Sequence, residues 1–265
     1  MTFSHQTINE FYSKYLYLSL KNKGLKELLI FLLFLVFYKI SRYFAIGDEQ
    51  TAFHNAHFLV DIEMMLGIFY EIDIQQYFLN SHLLVTILNK FYVTAHLPIT
   101  IAFFVWLYHQ KKTHYKFVRN GFLLANTLTL YFYVNFPCAP PRMLNDIGFT
   151  DTLLKISDVN LYSGVFSGLF NQYAAVPSMH FGNALLIGVV VAFLTKNKIT
   201  TWLLLLYPIF VLLVIVVTGN HFFMDAIVGG IVVLLPYPFL YLAKKVKVIN
   251  LQLVNSSKLG LRKIS

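Results

Sequence analysis

Apolar positions gather in six stretches that approach or reach the roughly 20 mostly apolar residues a helix needs to cross a bilayer core of about 30 Å. They are Leu28–Ala45, Leu83–Tyr108 (most apolar over Phe91–Tyr108), Gly121–Phe136, Met179–Thr195, Ile199–Thr218 and Phe222–Ala243. Lys39 and Arg42 interrupt the first toward its outer end, where long cationic side chains can snorkel to the interface. A different pattern follows it. Phe58, Ile62, Met65, Leu66, Phe69 and Ile72 recur at helical spacing, with Asp61, Glu63 and Glu71 among them. It predicts an amphipathic helix over Phe58–Ile72, lying along the outer membrane surface, where a packing lid without chemistry is the plain alternative. The expected fold is all-α: a polytopic six-transmembrane-helix bundle with one extracytoplasmic amphipathic helix. Its domains are an N-terminal segment over 1–27, a membrane domain over 28–243 and a basic tail over 244–265.

Composition agrees with that pattern. Of 265 residues, 57% are apolar and only 12% charged, about half the charged share of a soluble domain. The mean hydropathy is +0.63. Too few polar groups exist to cover a water-facing surface, and disorder or a collagen-like fibre is excluded on the same figures. Cys138 is the single cysteine, so no internal disulfide forms.

A net charge of +9 suggests a nucleic-acid partner until its distribution is considered. Sixteen of the 21 Lys/Arg fall in four clusters, Lys14–Lys26, Lys111–Arg119, Lys196 with Lys198, and Lys244–Lys263. Ten of the 12 Asp/Glu fall in or beside the alternate connecting segments. That alternation is the positive-inside signature, so the basic charge encodes topology and no nucleic acid is expected. Both termini are expected in the cytoplasm, with 46–82, 137–178 and 219–221 outside. The polar first 25 residues predict no cleaved signal, and the first span reads as a retained signal anchor.

Three polar islands then fall at the outer ends of three spans. They are Phe136–Leu144 (FPCAPPRML), Ala174–His180 (AAVPSMH) and Thr218–Asp225 (TGNHFFMD). His221 and Asp225 are four apart and share a helix face, so the carboxylate can hold one imidazole nitrogen and leave the other as an outward lone pair. That suits a nucleophilic histidine, whose cationic adduct the carboxylate stabilises, although a helix-end ion pair has the same spacing. His180 follows Pro177 and Ser178 at a helix start whose free amides favour an anion, with Pro177 suited to the first turn and Ser178 offering a hydroxyl or a cap. A second histidine there can act as general acid and base. Arg142 follows three prolines that stiffen its segment, and its guanidinium suits a phosphate. A zinc site from His180, His221 and Asp225 fits less well beside an arginine, and a Ser178–His–Asp triad lacks a Gly-x-Ser-x-Gly elbow.

With those residues in place, PCAPPRML, AVPSMHFGNA and TGNHFFMDAIVGG resemble, in order and spacing, the three signature motifs of the type 2 phosphatidic acid phosphatase superfamily. The stretch from Ala52 (AFHNAHFLVDIEMMLGIFYEIDIQQYFL) and FYVTAHLP resemble bacterial members of its aureobasidin-resistance-like, inositolphosphotransferase-type branch. The resemblance implies a six-helix bundle with an extracytoplasmic site that uses no metal or other cofactor. It implies His221 as nucleophile, Asp225 as its orienting partner, His180 as general acid/base, and Arg142, Ser178 and Asn220 around the phosphate. Three positions depart from the superfamily pattern. Asn135 stands where a lysine is usual, Met179 where glycine is usual, and Ile215 where an arginine is usual.

The function expected is that of a lipid phosphatase or phosphotransferase working through a phosphohistidine, with a lipid phosphate as substrate and water or a polyol such as inositol as acceptor, or with an inositol-phosphate-type headgroup as the group transferred. The alternative is a non-catalytic lipid-binding or transport protein on the same scaffold.

Overall fold

A computed structural model describes residues 22–45, 47–160 and 171–246. Most of the expected N-terminal segment (1–21) and of the basic tail (247–265) lies outside the described residues, as do 161–170 of the second external segment and the Arg42 side chain.

Helix α1 (Lys23–Phe44) begins at Asn22, whose side-chain oxygen accepts from the amides of Gly24 and Leu25. Helix α2 (Glu49–Leu66) begins at Asp48, which accepts from Thr51 N at 2.8 Å. It ends at Gly67, in the left-handed region at φ +67°, and α3 (Glu71–Leu79) starts afresh. The single amphipathic helix expected over Phe58–Ile72 is therefore two helices. Phe58, Met65 and Leu66 are exposed, as residues lying on a membrane surface would be, but Phe69 and Ile72 pack against the core, and of the three carboxylates Asp61 is exposed whereas Glu63 and Glu71 are fully buried. The buried side of α2 runs Ala52, Ala56, Leu59, Val60, Glu63.

Helices α4 (His82–Thr94) and α5 (His96–Gln110) meet at Ala95 with a 51° bend. Pro98 explains it, since it has no N–H to give Thr94 O and its ring crowds that carbonyl. Helix α6 (Lys112–Asn135) leads to a 3-10 turn at Pro141–Met143, and α7 (Thr152–Ser157) is a short helix started by Asp151. Helices α8 (Met179–Leu194), α9 (Lys198–Val217) and α10 (Phe223–Leu234, resuming over 236–246) complete the set. Among the described residues there is no strand, only an isolated parallel bridge between Cys138 and Ala174.

All six expected spans coincide with helices, but they are not equal. Lys198–Val217 and the run Phe223–Val246 are long and apolar enough to cross a bilayer by themselves, and the bent pair α4–α5 makes a third if it is one span. Helix α8 is apolar but has only 16 residues. Helices α1 and α6 are long enough but carry polar positions along their length. Large apolar side chains of α9, among them Trp202, Leu203, Leu206 and Ile209, are exposed, as lipid-facing residues are.

Helix α8 packs against α5, α9 and α10. Two glycines allow the contact with α10: a Cβ on Gly182 would come 2.7 Å from Gly229 O, and one on Gly229 would come 2.2 Å from Ser178 O. Ala52, Ala56, Leu59 and Val60 of α2 pack with Cys138, Ala139, Leu144, Tyr173, Val176 and Phe222. That cluster is the floor on which the polar islands rest.

Candidate active site

The three islands are joined by main-chain hydrogen bonds. Cys138 N donates to Tyr173 O at 2.8 Å and Ala175 N to Cys138 O at 3.3 Å, linking the first island to the second. Arg142 N donates to Gly219 O at 2.7 Å, linking the first to the third. Ser178 N donates to Asp225 O at 2.9 Å, linking the second to the third. Gly219 makes the second link possible: its φ is +66°, and a Cβ there would lie 2.8 Å from Gln75 Nε2 and 3.1 Å from Arg142 Cβ.

His221, just before α10, is buried. Its Nδ1 lies 2.9 Å from Ala175 O and 3.3 Å from Asp225 Oδ2. Both partners are acceptors, so the ring proton belongs on Nδ1 and the lone pair on Nε2. The nearer partner is a carbonyl that sequence reasoning did not single out. Asp225 Oδ2 also accepts from Phe222 N at 2.9 Å, and Oδ1 has no hydrogen-bond partner among the described residues.

His180 is the second residue of α8, and its ring centroid is 5.8 Å from that of His221. Pro177 is not in the helix's first turn. It precedes the N-cap, joined to Val176 by a cis peptide bond. Ser178 occupies the N-cap position, yet its side chain makes no capping bond, and its buried Oγ has no partner among the described residues. The hydroxyl is therefore available to a ligand rather than used as a cap.

Arg142 is buried, its Nη1 donates to Asn220 Oδ1, and its Nε is 3.7 Å from Asp151 Oδ2. Asn220 is turned by Thr218, whose Oγ1 accepts from Nδ2 at 2.7 Å. Asn220 thus orients the guanidinium from the side of the third island. Arg142, Ser178, His180, Asn220, His221 and Asp225 belong to islands that these bonds bring together. Asn135, by contrast, is exposed and bonded back to Tyr131 O, and Ile215 is buried among Ala184, Val211 and Ala226. Neither position adds a cation to the group. Among the described residues no three His, Cys, Asp or Glu side chains are arranged to hold a metal ion.

Glu63 and Glu71 form a second layer behind the histidine. Glu71 Oε1 accepts from Phe223 N at 2.8 Å, and Glu63 Oε1 accepts from Met224 N at 2.6 Å. Together with Asp225 they satisfy three consecutive amides at the start of α10, where the helix dipole favours negative charge. The second oxygen of each glutamate is buried without a hydrogen-bond partner among the described residues. Burial first, then the neighbouring Glu71 carboxyl, pushes the Glu63 carboxyl well above the usual range, and burial raises Glu71 as well.

The sequence profile of the PAP2 superfamily, the phosphatase superfamily anticipated from the motifs, matches residues 57–239, which include every residue of this site. The chain belongs to the PAP2 superfamily. Comparison with curated proteins and with solved structures gave no match. PAP2 membership implies phosphatase-type chemistry on a lipid phosphate. Glu63, Glu71 and the neighbours of His180 on α4–α5 carry no weight in the three motifs. Their only sequence signals were carboxylates inside an otherwise apolar pattern and the isolated FYVTAHLP stretch.

Proposed function

We propose that this PAP2 protein is a six-span membrane enzyme that transfers the phosphoryl group of a lipid phosphate through a phosphohistidine on His221. The observation that carries the reading is the doubly accepted Nδ1 of His221, which leaves Nε2 as the nucleophile beside His180. Nε2 attacks phosphorus, the bond from phosphorus to the leaving oxygen breaks, and His180 gives that oxygen its proton. His180 then takes the proton of the incoming hydroxyl, whose oxygen displaces Nε2 and frees the histidine. Arg142, held by Asn220, and the Ser178 hydroxyl neutralise and orient the phosphoryl oxygens. Asp225 stabilises the imidazolium-like adduct.

The acceptor distinguishes a phosphatase from a phosphotransferase. The lack of cations at Asn135 and Ile215 favours the inositolphosphotransferase-type branch, in which a polyol hydroxyl takes the place of water. Both termini lie in the cytoplasm on this reading, and the site faces outward.

Purified protein in detergent, assayed for phosphate release and headgroup transfer on a panel of lipid phosphates with and without inositol, tests it. Wild type should accumulate an acid-labile phosphoryl label that His221→Ala lacks. A label that persists in His221→Ala would overturn the nucleophile assignment.

A further inference from the structure

Residues outside the three motifs surround the general acid. The Tyr92 ring stacks on His180 at a centroid distance of 4.4 Å and an interplanar angle of 27°. The His96 ring lies 4.5 Å from it at 48°. Tyr92 and His96 are four apart, one on each side of the Ala95 break, so the bend sets how both rings meet α8. His96 is also tied to α8: its Nε2 lies 3.5 Å from Nδ2 of Asn183, one turn beyond His180. The remaining polar atoms of that pair, His96 Nδ1 and Asn183 Oδ1, are buried without partners among the described residues. Both atoms lie buried beside a ring that must exchange protons.

Taking His180 as the general acid/base of the proposed reaction, we infer that Tyr92 and His96 are positioning residues that form an aromatic cradle for His180. Two physical effects follow. A ring lying flat on another restricts rotation of the imidazole, which keeps it directed at the phosphoryl group on the His221 side. An aromatic face at 4.4 Å also favours the imidazolium form that a general acid needs before it donates. The cradle thus acts on proton transfer and not on lipid binding.

The test compares kcat and KM for a natural lipid phosphate and for an aryl phosphate whose leaving group needs no proton. Tyr92→Leu and His96→Leu should each lower kcat on the natural substrate about ten-fold, with KM changed less than about two-fold. The burst of aryl release, which reports transfer to His221 before His180 is needed as a base, should be much as in wild type for both, and Tyr92→Phe, which keeps the ring face, should recover most of the natural rate. In a His180→Ala background, adding Tyr92→Leu should cause no further loss, because the cradle works through the missing ring. Should Tyr92→Leu not fold, His96→Leu carries the same comparisons. An aryl burst slowed as much as the natural rate, a Tyr92→Phe variant as impaired as Tyr92→Leu, or additive losses on His180→Ala would each overturn the cradle while leaving the acid/base role in place. A His180→Ala enzyme at the full natural rate would instead overturn the acid/base role, and the cradle with it.

Discussion

His221 Nδ1 has one proton and two acceptors, Ala175 O at 2.9 Å and Asp225 Oδ2 at 3.3 Å. A backbone carbonyl cannot be removed by substitution, so the tautomer survives loss of the carboxylate. Asp225→Asn should therefore lower kcat by about 10²-fold, the scale of one electrostatic stabiliser, and not to the background level of His221→Ala. Steady-state phosphate release from the two variants decides this. Equal rates would mean that the carboxylate and not the carbonyl fixes the ring. Of these features, the His-x3-Asp pair was legible because four residues make one helical turn. The carbonyl was not, because a main-chain acceptor has no identity in a sequence and meets His221 only once the second and third islands are brought together.

At the scale of elements, α2 and α3 grip the start of α10 through two buried carboxyls, Glu63 and Glu71. Their folded pKa values lie above those of the unfolded chain, because burial disfavours the charged forms. The native state therefore binds more protons than the unfolded one above the ordinary carboxyl range. The stability this contributes is complete below that range and is lost as pH rises through the folded values. Glu63→Gln keeps the acceptor for Met224 N and offers an amide to Glu71, so it should flatten the alkaline decline in melting temperature. Glu63→Ala leaves Met224 N unpaired and should cost about 2–3 kcal/mol. Thermal melts of both variants across pH check the sign, and a steeper alkaline decline in Glu63→Gln would refute the raised Glu63 carboxyl. A second element-scale prediction concerns the α8–α10 contact. Gly229→Ala places a methyl 2.2 Å from Ser178 O, a backbone atom that cannot turn away, so the helices must separate. Both the melting temperature and kcat should fall, and an unimpaired variant would contradict the close packing. The six helical stretches were legible because long apolar runs leave few options, whereas the break at Gly67 and the inward turn of Glu63 and Glu71 were not. The buried stripe of α2 is set by the small residues Ala52 and Ala56, which let it approach the islands, and that stripe carries Glu63 inward. A carboxylate that caps another helix's amides has the same place in a sequence as one that faces water.

For the whole molecule, sidedness follows from where α7 lies. Lys155 is exposed on α7, on the same side as the islands through the contact of Arg142 with Asp151. The native Cys138 is fully buried. A cysteine introduced as Lys155→Cys should thus react with a membrane-impermeant thiol reagent in intact cells, without background from Cys138. Reaction only after the membrane is opened would reverse the proposed topology.

The shortness of α8 has a further consequence. Sixteen residues rise about 24 Å, against about 30 Å of hydrocarbon, so a spanning α8 that reaches the inner surface ends several ångströms short of the outer one. His180, at that outer end, then sits below the headgroup plane, and the bilayer thins locally around it. A lipid phosphate reaches such a depth most directly by sliding sideways from its own leaflet with its tails still solvated by neighbours. Turnover should accordingly follow the mole fraction of substrate in the membrane surface, and inert lipid or detergent added at constant bulk substrate should slow the enzyme by dilution in two dimensions.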